Sequence, residues 1–203
     1  MSTSRIDEIL NHLYELQKDL EAEVDKILSE KRATFQYTLE KGKVRFEESI
    51  KALHIAQQTG VWQYIKTSEL KHIVVSPIIY SLIFPILFVD ICVTIYQKIC
   101  FPVYGIPDIK RKNYFIFDRQ QLAYLNIIEK INCTYCSYAG GVFSYVSEVI
   151  ARTEQYWCPI KHAKRGLSQH YREEKFVDFG DAETYNARLK ALRKNWSDLD
   201  KEY

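Results

Sequence analysis

The 203-residue chain carries 28 Lys and Arg against 26 Asp and Glu, so no charge excess points to nucleic acid as a partner. Gly and Pro number only 7 and 5, too few turn signals for an all-β sandwich or barrel. With 47% hydrophobic residues, and 15 Tyr beside 10 Phe, the composition suits a mainly α protein rich in the aromatic rings that collect at membrane interfaces.

The first twenty residues are polar and hold no apolar run followed by a small-residue cleavage site, so a secretory signal peptide is not expected. The spacing predicts a helix over 4–32. Apolar residues fall at Ile6, Ile9, Leu13, Leu16, Leu20, Val24 and Ile27, the seam of a coiled coil with one stutter. Ser4 is the expected N-cap, with Asp7 and Glu8 in the first turn. A second helix is expected from Thr38 to Gln58, ending at Thr59-Gly60, with Leu39, Phe46, Ile50 and Leu53 on one face. Either an antiparallel helical hairpin buries the seam within the chain, or a coiled coil buries it against a protein partner or a second copy. Residues 1–71 thus form the first of three expected regions.

The second region, 72–107, is the most apolar. Between Ile73 and Ile99 the only charges are Asp90 and Lys98, and the run is long enough for the roughly 20 residues that cross a bilayer as a helix. Pro77 and Pro85 each remove a helical hydrogen bond, and Asp90 at mid-bilayer would cost about 2.5–3.5 kcal/mol unless paired or at headgroup level. Lys110, Arg111 and Lys112 follow closely and favour the cytoplasmic side, as does the charge-dense N-terminal region. Two half-helices broken at Pro85, re-entrant in the membrane, keep both ends on that side; a single span and a buried core helix are the alternatives. Phe101-Pro-Val-Tyr-Gly-Ile-Pro107 reads as the exit turn.

The third region, 108–203, holds the chemistry. Asn113–Asp118 reads as a short strand or interfacial loop. Two helices are expected, Arg119–Asn132 and Val142–Tyr156, separated by Gly140-Gly141. A polar stretch with Arg165, Gly166 and His170 precedes a last helix over Ala182–Trp196, with Tyr185, Leu189, Leu192 and Trp196 on a narrow stripe. An odd Cys count, five, without a signal peptide points to a reducing compartment. Cys133-Thr-Tyr-Cys136 is a CxxC, and Cys158-Pro-Ile-Lys-His162 puts a thiol and an imidazole one turn apart if helical. Cys133, Cys136, Cys158 and His162 make a Cys₃His set that suits structural zinc; an iron–sulfur cluster is the other cofactor such thiols hold, and Glu154 adds an oxygen donor. A straight helix over 142–156, about 22 Å long, would separate the two halves, so convergence needs the chain to fold back at Gly140-Gly141 and Pro159. Reduced structural cysteines and a redox-active CxxC are the alternatives, although no βαβ pattern precedes this CxxC. His12, His54 and His72 stand alone and suit packing or surface. Phosphate loops, nucleophile elbows and metalloprotease motifs are absent from the sequence.

Three motifs, Phe101–Pro107, Asn132-Cys133-Thr-Tyr-Cys136-Ser-Tyr138 and Arg152-Thr-Glu-Gln-Tyr-Trp-Cys158-Pro-Ile-Lys-His162-Ala163, occur in order over residues 73–165. Together they resemble an uncharacterised bacterial family of membrane-associated proteins. The resemblance implies a bacterial inner membrane and no particular reaction; the cytoplasmic side is what the charges around Lys110–Lys112 favour. Three functions are therefore expected in turn: a membrane-associated metal-binding protein with a structural or electron-transfer role, a helical membrane scaffold or assembly subunit, and a thiol oxidoreductase.

Overall fold

The computed structural model describes residues 2–40, 43–164, 166, 170–196 and 199, and within its first turns the side chains of residues 2–8, 10 and 11 are not described. The protein is mainly α, as its composition requires. Two compact units share the chain: residues 1–61 with 118–127, and residues 62–117 with 128–203. The apolar segment is therefore part of a larger unit that includes the C-terminal region.

In the first unit, α1 (Ser2–Phe35) is one long helix. It ends at Gln36, whose positive φ of 51° turns the chain out of the helix. Ile9, Leu13, Leu16, Leu20, Val24 and Ile27 are all exposed; the side chains of Ser4 and Ile6 lie outside those described. The helical hairpin expected to cover this seam is not formed. The residues read as its second arm instead make a β-hairpin, β1 (Tyr37–Glu40) against β2 (Lys43–Phe46), with Tyr37 opposite Phe46, and only then α2 (Glu48–Ala56). Val44 and Phe46 alternate with exposed Lys43 and Arg45, the period of a strand. Phe46, His54 and Tyr124 stack edge to face at 5.0 and 5.2 Å. Gln58 Nε2 donates to the Leu125 carbonyl at 2.7 Å and Asn126 Nδ2 to that of Thr59 at 3.3 Å, fastening 118–127 to the exit of α2. That stretch is a 3₁₀ turn and loop, where a helix from Arg119 was expected.

The second unit is built on α3 (Val61–Thr67), α4 (Leu70–Ser81), α5 (Ile83–Tyr104), α6 (Ile127–Trp157) and α7 (Tyr185–Leu192). The expected reversal at Pro85 is absent. The ladder is interrupted at Leu82, but Leu82 keeps helical angles (φ −62°, ψ −14°), so α4 and α5 continue one another. Pro85 lies in the first turn of α5, where its missing N–H costs little. Pro77 would strand the Ile73 carbonyl, and Ser76 Oγ donates to it at 2.8 Å instead. Residues Leu70–Tyr104 make one stretch of 35 residues long and apolar enough to cross a membrane, with only 11% of its most apolar window buried.

α5 ends in a left-handed Gly105 (φ 67°), with Ile106 N donating back to the Phe101 carbonyl at 2.9 Å. This cap turns the chain through Pro107 and returns it along α5 and α6, so that Ile106 and Ile109 pack with Phe101, Tyr145 and Val149 as the core. Residues 115–118 form no strand. α6 is a single 31-residue helix that runs through Gly140-Gly141, where two helices were expected. Gly141 is needed for close packing: a Cβ there would stand 2.9 Å from the Phe115 ring and 2.9 Å from the Tyr114 carbonyl oxygen. α7 is shorter at both ends than the helix expected over Ala182–Trp196.

Candidate functional site

α5 is apolar on its outside and polar within. Phe84, Phe88, Ile91, Ile95, Ile99 and Val103 form an exposed stripe down its length. The opposite stripe, Ile86, Asp90, Val93, Gln97 and Phe101, packs inward, and two of its five members are polar. A soluble helix has the reverse arrangement.

Asp90 does not face outward, as its sequence environment required. Arg111 grips both of its carboxylate oxygens, with Nη2 2.6 Å from Oδ2 and Nη1 on Oδ1. Tyr138 of α6 donates to Oδ2 at 2.7 Å, and Arg111 Nη1 also reaches Thr94 Oγ1 at 2.9 Å. The guanidinium lies 4.4 Å from the centre of the Phe115 ring. A paired and hydrogen-bonded carboxylate avoids most of the desolvation cost of a lone one. Three residues downstream of the returning loop's start, Asp108 meets Gln97 Nε2, while Gln97 Oε1 accepts from Tyr145 at 2.7 Å. Sequence reading treated Arg111 as a topology signal. The clue it passed over is stoichiometric: a single carboxylate in an apolar run needs a cation, and Arg111 is among the first beyond it.

Below this, the Arg152–Gln155 motif fixes the fold. Arg152 Nε donates to Glu148 Oε1 at 2.7 Å and its Nη1 to the Pro107 carbonyl at 3.0 Å. Arg172, fully buried, joins Glu148 Oε1 at 2.9 Å and Gln155 Oε1 at 3.2 Å. Gln155 Nε2 donates to the Leu192 and Asn195 carbonyls at 3.0 and 2.8 Å. These contacts hold the returning loop and the C-terminal segments against α6.

The Cys/His set is not brought together within one chain. Cys133 and Cys136 lie in the first third of α6, and Cys158 follows its last residue. An unbroken helix between Cys136 and Cys158 separates them by about 33 Å at 1.5 Å per residue, against metal–sulfur bonds of about 2.3 Å. Gly140-Gly141 does not fold the chain back. Cys158 and His162 do not share a helical face either: residues beyond Trp157 are extended, with Ile160 bridged to Val177 and Lys161 N donating to the Val177 carbonyl at 2.8 Å. His162 offers its backbone N–H to Glu173 at 3.0 Å. Glu154, the expected oxygen donor, is 2.8 Å from His170 Nε2, a histidine sequence reading did not assign. Among the described residues no group of three or more His, Cys, Asp or Glu is placed to share a metal ion. Arg165 lies outside the described residues. Loss of surrounding water, together with the Glu154 carboxylate, pushes the Cys158 thiol above its ordinary pKa, which is the wrong direction for a nucleophile or ligand. No family model, curated protein or solved structure matches this chain.

Proposed function

We propose that the protein is a membrane-associated helical scaffold, held in the bilayer by α4–α5 and assembled with further copies of itself through α1. The observation that carries this reading is the inverted α5: an unbroken apolar stripe outside, with Asp90 and Gln97 satisfied inside. Water does not reward that arrangement and a hydrocarbon phase does. The α1 seam supports the second half. Its six described apolar positions are solvent-facing over a helix of about 51 Å, with the 3-4 spacing that suits a matching helix. Lys110 and Lys112, exposed at the end of the apolar stretch, favour the cytoplasmic face of a bacterial inner membrane for that end.

The test is paired. Carbonate-washed membranes should retain the full chain, and in detergent it should run as an oligomer by light scattering. Leu13→Glu with Leu20→Glu should convert it to a monomer and leave membrane retention intact, because both residues are exposed. A wild-type chain that is monodisperse without detergent, or monomeric within it, overturns the proposal.

A further inference from the structure

One cavity is not explained by holding the fold together. A cleft of about 440 Å³ lies between α3–α4 and α6, within the size range of small-ligand sites. Ser68, His72, Ser76 and Tyr80 line it at four-residue intervals, the repeat of one helical face. From Ile73 onward this polar stripe runs along a segment that is otherwise apolar. Across from it, α6 contributes Asn132, Tyr135 and Cys136. Tyr80 and Tyr135 tie one end shut. Tyr80 donates to Asn132 Oδ1, Tyr135 donates to the Ile79 carbonyl at 3.0 Å, and the two rings meet edge to face at 6.0 Å.

The remaining polar groups define what fits. Ser68 and Ser76 spend their hydroxyl protons on the Tyr64 and Ile73 carbonyls, at 2.7 and 2.8 Å. With its oxygen taken by Tyr80, Asn132 has its amide nitrogen as donor, and the His72 imidazole supplies another. Donors call for a carbonyl acceptor. Among the described residues no Lys, Arg, Asp or Glu lines the cleft, so no fixed charge there compensates a charged head group. The rest of the wall is mainly apolar, from residues such as Ile65, Ile73, Ile79 and Ile128. The outer face of α4, with Val74 and Ile78 exposed, is apolar too, so an occupant arrives from a hydrocarbon phase.

We infer that the cleft between α3–α4 and α6 binds a neutral, carbonyl-bearing membrane lipid, with its head at His72 and Asn132 and its chain along the isoleucines. The inference rests on α4–α5 lying in lipid, as proposed above. Two lipid sources share this chemistry, a prenylquinone and a diacylglycerol, and the experiment separates them.

The full chain, delipidated in maltoside micelles, is titrated with a short-chain ubiquinone, with dioctanoylglycerol, or with dioctanoyl-phosphatidylglycerol, and bound lipid is counted by native mass spectrometry. One neutral lipid should bind at one per chain, and which one does so names the source. The anionic lipid should not bind or compete. Ser76→Leu, which fills the cleft, should abolish binding; His72→Leu, which removes a donor, should weaken it about tenfold, the loss of roughly one hydrogen bond. Val74→Leu, on the outward face, should bind as the wild type does. If Ser76→Leu does not fold, His72→Leu carries the test alone. Binding of neither neutral lipid, equal binding of the anionic one, or undiminished binding by His72→Leu overturns the inference. A chain that stays in carbonate-washed membranes yet fails these titrations loses this inference only; one that leaves the membrane loses the scaffold reading instead.

Discussion

Two adjacent glycines on α6 face opposite situations, and the same substitution should therefore have opposite effects. At Gly140 an added Cβ meets nothing within 4 Å. Alanine there removes the conformational freedom that makes glycine a poor helix residue, which should stabilise the fold by about 0.5–1 kcal/mol. Alanine at Gly141 gains the same helical preference, but its Cβ would lie 2.9 Å from the Phe115 ring and 2.9 Å from the Tyr114 carbonyl oxygen. A ring at the end of a side chain can turn, whereas a backbone oxygen cannot move without its loop. That loop is anchored at Arg111 by Asp90 and Thr94. Overpacking of this kind costs about 1–3 kcal/mol, so the net effect of Gly141→Ala is a loss of up to about 2 kcal/mol. For a domain of this size each kcal/mol shifts Tm by about 2–4 °C. Thermal unfolding in detergent, followed by far-UV circular dichroism, should show Gly140→Ala above the wild type and Gly141→Ala below it. Equal stabilisation by both alanines would refute the claim that close approach of the returning loop, and not helix termination, explains Gly141.

Asp90→Leu and Arg111→Leu should each destabilise the second unit by about 3 kcal/mol, the low end for a buried pair because the Arg111 side chain is 39% exposed. The double variant should recover most of that loss, since two apolar residues leave no orphaned charge; a double variant as damaged as the sum of the singles would mean the pair is not coupled. Cys158 should alkylate with iodoacetamide more slowly than a free cysteine at pH 8, because its raised pKa leaves less thiolate, and the rate should climb with pH beyond the usual thiol midpoint. Glu154→Gln should move that midpoint down; alkylation at or above the free-cysteine rate would show that the thiol is not held protonated.

Local pattern determined much of this protein by itself. The 3-4 seam of α1, the apolar run that became α4–α5 and the scarcity of breakers each act within a few turns, so a mainly α chain with one membrane-competent helix was legible before any contact was known. The need of Asp90 for a partner was legible too, because a carboxylate in an apolar run carries its cost wherever the chain goes. Which partner it finds was not: Arg111 reaches it only because Gly105 turns the loop back along α5. Composition at Gly140-Gly141 signals flexibility, yet the same absence of a Cβ also permits close approach, and only the position of Phe115 and Tyr114 decides between them. The strand period of Val44 and Phe46 was hidden for a related reason, since an apolar residue at 39, 46, 50 and 53 satisfies a helical face as well. The Cys/His set shows the limit most plainly. Residue types and motif spacing suggest donors for one metal, but a ligand set exists only if its atoms meet, and the unbroken length of α6 sets Cys136 and Cys158 about 33 Å apart along its axis.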